Sequence, residues 1–210
     1  MFTKPIDPLL NPQFARAIIG RLAAVAMFRG ELDPVLLVER LARRQPIYVL
    51  PRRSVPTLAT GVQLLLDVSP AMMPFRDDIL ALIRQLRQTV GVERLEIRKF
   101  EYCPSIGIID DKASKRTAYN SPPPGTAILA VTDLGLLRAD RSDRLIRANE
   151  WLSLCRHLAA GRTPVTVLTP YPGPRLGDRS FTRRLRLVLW DRVTRVRDVP
   201  APMLVGGAGE

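Results

Sequence analysis

Lysine, histidine and cysteine are almost missing from this chain. Of its 210 residues only four are lysine (Lys4, Lys99, Lys112, Lys115), one is histidine (His157) and two are cysteine (Cys103, Cys155). Two isolated cysteines exclude a disulfide framework and a zinc knuckle. A single histidine leaves little room for a serine or cysteine triad, and no Gly-x-Ser-x-Gly elbow is present. Cys155 and His157 lie two residues apart on a predicted helix and so point ~200° apart. They read as a core cysteine and a surface histidine. Glycine-rich phosphate loops are absent as well. No apolar run reaches the roughly 18 residues of a membrane span. Met1 to Pro12 carries Asp7 and three prolines where a signal peptide has a basic and then an apolar stretch. A cytoplasmic protein with no membrane partner is therefore expected.

What is present in excess is arginine. The chain has 32 basic and 20 acidic residues, net +12, and 28 of the basic residues are arginine. So basic a chain suits an anionic partner, but dispersed arginines equally suit a codon-usage bias. The densest stretch runs from Arg175 to Arg197, with eight arginines against Asp178 and Asp191, or +6. Arg179, Arg183, Arg186 and Arg197 are its candidate phosphate contacts, and nucleic acid or another polyanion is the alternative partner. No aromatic interleaving accompanies them.

Apolar spacing divides the chain. Phe14, Ile18, Ile19, Leu22, Val25 and Ala26 predict one helix, and Val35 to Ala42, after the cap Asp33-Pro34, a second. Prolines 46, 51 and 56 punctuate an extended connector. Val62 to Leu66 reads as a strand buried on both faces. A helix follows, with Phe75, Ile79, Leu82, Ile83, Leu86 and Val90 on one face and Gly91 at its C-cap. Leu95, Ile97 and Phe100 predict a strand, Ile106 to Ile109 its hairpin partner, and Asp110 to Gly125 a loop. Ala127 to Val131 and Val165 to Leu168 are further strands. Between them lies a helix from about Asp143 to Ala160, with Leu145, Ile146, Leu152, Cys155 and Leu158 as its apolar stripe. Phe181 to Val193 reads as a basic helix. The alternation predicts an α/β fold, a doubly wound, mostly parallel sheet with helices on both faces, plus an N-terminal helical extension. The expected divisions are a helical extension and connector over 1–56, the α/β domain over 57–199 and a fraying tail over 200–210.

In such sheets ligands bind beyond the carboxyl ends of the strands, where strand order reverses. Two strands end in aspartate, at Asp67 and (after Thr132) at Asp133, and Ser69 follows two residues after the first. Two carboxylates and a hydroxyl are hard donors of the kind that hold Mg²⁺ or Mn²⁺. Strand-end aspartates also serve simply as caps of the next turn.

Leu64-Leu65-Leu66-Asp67-Val68-Ser69-Pro70-Ala71-Met72, the amphipathic helix after it, and Ala130-Val131-Thr132-Asp133-Leu134-Gly135 resemble a von Willebrand factor A-type domain over roughly Gly61 to Val199. Such domains join an Asp-x-Ser-x-Ser motif after the first strand, an Asp-Gly-like turn after the fourth and a threonine from a third loop into a metal-ion-dependent adhesion site. The resemblance implies a degenerate site of Asp67, Ser69 and Asp133. Ala71 replaces the second serine, and none of Thr117, Ser121 and Thr126 aligns with the threonine. It further implies a non-catalytic interaction or adaptor module of a bacterial cytoplasmic system, partnered with an AAA-type ATPase or a defence effector. Docking is expected at the carboxyl edge, with Met72, Met73 and Phe75 supplying apolar contact, unless these three only begin the helix's core face. The enzymatic alternative is a metal-dependent phosphoesterase, with Asp110 and Asp111 as extra ligands.

Overall fold

The structure, a computed structural model, describes residues 8–110, 115–137, 139–176 and 184–205. Helix α1 (Pro12–Ala23) begins where the Asn11 side chain accepts from the Gln13 N–H and Pro12 occupies the first turn. It buries Ala15, Ile18, Ile19, Leu22 and Ala23, a stripe at helical spacing. Val25 and Ala26 do not continue that helix. The backbone turns extended at Ala24, and Val25–Met27 forms β1. Its strand pairing explains the change: Ala26 donates to Met203 O and accepts from Val205 N–H. Residues 203–205 are thereby tied to β1, although their sequence suggests fraying.

Helix α2 (Pro34–Ala42) is capped by Asp33 as expected and buries none of its residues. Strand β2 (Val55–Thr57) returns antiparallel to β1. Strand β3 (Val62–Asp67) is buried at all six positions. Helix α3 (Arg76–Val90) packs Leu82, Leu86 and Val90 inward and stops at Gly91, whose φ of 98° suits a residue without Cβ. After it come β4 (Leu95–Phe100), β5 (Ile108–Asp110) and β6 (Lys115–Thr117). β6 corrects the predicted loop over Asp110 to Gly125. All three of its residues are exposed, so no buried position marks it in the sequence.

Strand β7 (Ala127–Val131) is wholly buried, and α4 (Arg141–Ala160) follows it. This helix buries Trp151, Leu154 and Leu158, whereas Leu145 and Ile146 of the expected stripe are exposed. Trp151 sets the face: it lies edge-on to Phe100 and its Nε1–H donates to Tyr102 O. Strand β8 (Val165–Thr169) precedes β9 (Leu187–Leu189). β9 and the turns after it stand where a basic helix is expected. Leu185, Val188 and Trp190 are buried while the residues between are less so, close to the two-residue period of a strand.

The main sheet has the order β6-β5-β4-β3-β7-β8-β9. β4, β3, β7, β8 and β9 run parallel, and β5 and β6 are antiparallel. Two cores cover its faces. Leu64, Leu66, Leu129 and Val131 pack with α1 and α3, while Leu65, Ile128 and Ala130 pack with α4. The chain leaves β3 toward β4 and leaves β7 toward β8, so strand order reverses between β3 and β7. No helix among the described residues is long and apolar enough to cross a membrane.

The N-terminal helix is thus part of the sheet's own core. Replacing Ile18 or Ile19 with alanine, each fully buried, is expected to cost about 2–5 kcal/mol. Urea denaturation measures it, and a loss well under about 1 kcal/mol would show α1 to be an appendage.

Candidate functional site

β3 and β7 are neighbours with Leu66 opposite Val131, so Asp67 comes level with Thr132. The Asp67 carboxylate is 1% exposed and fully engaged. Oδ1 accepts from Ser69 N–H at 2.8 Å and Tyr102 N–H at 3.3 Å. Oδ2 accepts from the Thr132 hydroxyl at 2.6 Å. Thr132 Oγ1 in turn accepts from Leu134 N–H at 2.8 Å. Asp133, equally buried, caps its own turn, with Oδ1 accepting from Gly135 N–H at 2.9 Å and Oδ2 from Leu137 N–H at 3.1 Å. Burial raises the Asp67 pKa above its ordinary 3.8. The Thr132 hydroxyl and Ser69 N–H oppose that rise, and the nearby Asp133 charge adds to it. Thr132 is the member that sequence reasoning missed. The signal was its register opposite Asp67, which needs the strand pairing to be seen.

Ser69 is fully buried, and its Oγ makes no hydrogen bond of good geometry, although it lies close enough to Asp67 to oppose slightly the rise of that carboxyl's pKa. That poorly satisfied hydroxyl is the one feature that suits a metal. The rest of the donor set does not. Both carboxylates already accept hydrogen bonds through both oxygens, Ala71 brings no oxygen, and burial favours the protonated form of Asp67. Among the described residues no three His, Cys, Asp or Glu side chains group to hold an ion. Asp110 ends β5, two strands from β3, and Asp111 lies outside the described residues. Mg²⁺ and Mn²⁺ want about six oxygens near octahedral geometry, which these residues do not offer.

Neither thiol is held as a thiolate. Burial pushes Cys103 up to about 11 and Cys155 up to about 12, so both stay protonated at neutral pH. His157 is exposed near the end of α4.

Two concavities flank the Asp67 latch. On the α3 side lies an apolar groove of about 280 Å³, whose walls include Leu66, Val68, Met73 and Leu80, with Arg76 and Lys99 also lining it. On the α4 side is a more polar cleft of about 220 Å³, lined by Ala71, Tyr102, Asp133, Gly135 and Arg147 among others. There the Arg147 guanidinium lies 3.9 Å from the Tyr102 ring centroid. Gly135, with φ of 66°, admits this stack: a Cβ would meet Arg147 Cδ at 2.9 Å and Tyr102 Cβ at 3.0 Å. Tyr102 and Leu134 share the left-handed backbone, at φ of 66° and 62°, so strain gathers around this edge.

Of the three expected apolar contacts, only Met73 is exposed, at 61%. Met72 is a core residue, and Phe75 is half-buried, edge-on to Tyr171 at 5.5 Å. Of the four candidate phosphate contacts, Arg179 and Arg183 lie outside the described residues. Arg186 is half-buried, donating from Nε to Thr166 Oγ1 and from Nη2 to Ala201 O. Arg197 is exposed, 3.9 Å from Asp198. Comparison with protein-family models, curated proteins and solved structures finds no match to this chain.

Two outcomes follow from the latch. A carboxyl whose pKa is raised on folding holds its proton more tightly in the native state, so stability falls as pH climbs from 3.8 through the raised value. Asp67→Asn lacks that term. The stability of the variant relative to wild type should therefore improve as pH rises above 3.8 and level off once the raised value is passed, in urea titrations, and a pH-independent gap would refute the assignment. Millimolar MgCl₂ or MnCl₂ should leave Tm unchanged to within about 1 °C, because only a bound ion adds stability by mass action. A rise of several degrees that Asp67→Asn removes would instead establish a resident metal.

Proposed function

We propose that this chain is a non-catalytic interaction module of the adaptor type, docking a protein partner at the carboxyl edge of its sheet. The observation that carries this reading is the apolar groove beside Asp67. Leu66, Val68, Met73 and Leu80 offer a partly exposed apolar wall, and exposed Arg76 stands at its margin. Such a surface accepts an aliphatic or aromatic side chain of a partner, with a neighbouring partner carboxylate meeting Arg76. Met73 adapts its rotamers to the shape it receives. Asp67, Thr132 and Asp133 act behind the surface, holding the strand ends that form it.

The von Willebrand A-like character of the chain belongs to the same proposal. It rests on the Asp67 and Asp133 motifs and gains support from their meeting beside the point where strand order reverses. On this reading the degenerate position has become a structural latch, and docking proceeds through apolar and charge contact. Partners of the class implied are components of a bacterial cytoplasmic assembly, such as an AAA-type ATPase or a defence effector.

Met73 lies on the surface, so Met73→Asp is expected to keep the wild-type Tm. Quantitative affinity capture from the native host should then show a co-purifying protein depleted at least about tenfold with the variant, equivalent to ~1.4 kcal/mol. An unchanged set of partners would remove the carboxyl-edge groove from consideration.

A further inference from the structure

A second surface lies at the other end of the sheet and is not used by the docking mode above. β1 and β2 form a two-stranded ribbon, with Val25 opposite Thr57 and Met27 opposite Val55. Pairing continues outward through Leu32 and Arg52, with Gly30 N–H donating to Arg53 O and Asp33 N–H to Pro51 O. The ribbon is rooted at the amino edge. β2 runs into the start of β3, and β1 pairs with Leu204 beside Val205, which lies against Gly125 just ahead of β7. Helix α2 sits at the ribbon's outer end.

α2 is an exception to the way helices are held. It has nine residues and buries none of them, whereas helices shorter than ~12–15 residues are marginal in water without packing. Leu36 and Leu37 are partly covered, but three of its apolar residues face solvent: Val35 is 72% exposed, Val38 62% and Leu41 59%. On the returning arm Tyr48, Val49 and Leu50 are also exposed, Tyr48 at 86%. Six large apolar side chains are thus exposed within sixteen residues at the tip of one ribbon, a concentration of the kind that marks an interaction site.

The charge around the patch says what covers it. Residues 29–53 hold six arginines and three acids. Asp33 caps α2, Glu39 pairs with Arg43 at 2.7 Å and Arg52 donates to Gly30 O, and the segment keeps a net charge of +3 from its six arginines and three acids. A second copy of this chain would bring an equally basic patch against the first, on a molecule of net +12, which like-charge repulsion opposes. We infer that the α2 tip of the β1–β2 ribbon is a docking element for a different protein, one that presents an amphipathic helix with an apolar stripe flanked by carboxylates. The two helices would share their apolar faces, and the surrounding arginines would meet the partner's acidic margins.

The test uses the full chain and a synthetic amphipathic helical peptide with leucine at the stripe positions and glutamate elsewhere, read by fluorescence anisotropy. Saturable binding is expected, weakening with added salt. It should fall at least about tenfold, or ~1.4 kcal/mol, in Val38→Asp and in Leu41→Asp, both exposed and so expected to melt as wild type does. The same peptide with lysine for glutamate should not bind. Met73→Asp should bind the acidic peptide as wild type does, which separates this surface from the carboxyl-edge groove. Equal binding of the acidic and basic peptides, no binding at all, or no effect of either α2 substitution would overturn the inference. So would a wild-type dimer in sedimentation that Val38→Asp converts to monomer, since the occupant would then be a second copy.

Discussion

One buried carboxylate organises the carboxyl edge of this protein. A carboxyl removed from water must be given hydrogen-bond partners, and those around Asp67 come from three separate places. Ser69 N–H lies just after β3, Tyr102 N–H just after β4, and the Thr132 hydroxyl just after β7. Satisfying Asp67 therefore fixes three loops relative to one another. The two concavities depend on that arrangement, because the apolar groove has Asp67 and Val68 in its lining, and the polar cleft has Tyr102 and Asp133. The cost of burying the carboxyl is expressed in its raised pKa, and the three loops are tied together through it.

Arginine has a structural use here that its abundance alone does not suggest. Arg21 Nε donates to Val199 O at 2.8 Å, fastening α1 to the C-terminal segment. Arg186 bridges Thr166 on β8 and Ala201. Arg147 stacks on Tyr102, and Arg195 lies 5.0 Å from the Phe14 ring centroid. A planar guanidinium can reach several acceptors or lie flat on a ring, which a lysine ammonium does less well. Part of the excess positive charge is thus bound up in packing and is not offered to an anionic partner.

The sequence makes legible whatever is written in strong periodicity. β3, β7 and β8 are read from their apolar runs, and α1 and α3 from their stripes, because burial on a regular element leaves a regular pattern. Caps at Asp33 and Gly91 are equally local. What escapes depends on partners distant in the chain. Val25 and Ala26 fit a helix until residues 203–205 pair with them, β6 buries nothing, and β9 is short and rich in arginine nearby. At the site, Asp67 and Asp133 are visible as strand-end acids. Thr132 is not, because its meaning comes from standing opposite Asp67. The exposure of Met73 and the burial of Met72 could not be told apart either, since adjacent residues of a turn take opposite sides according to the tertiary packing.

The tie between Ala26 and residues 203–205 also bears on the order of assembly. It closes over a very long loop, as does the Arg21 contact to Val199 across 178 residues, and closures of that span come late in folding. During synthesis β3, β4 and β7 have emerged long before Val205 does. The root of the ribbon is therefore sealed last, after the parallel sheet that it adjoins. Until residues 203–205 reach Ala26, the ribbon that carries α2 is held by its own β1–β2 pairing and its continuation into β3, without the second tie at its root.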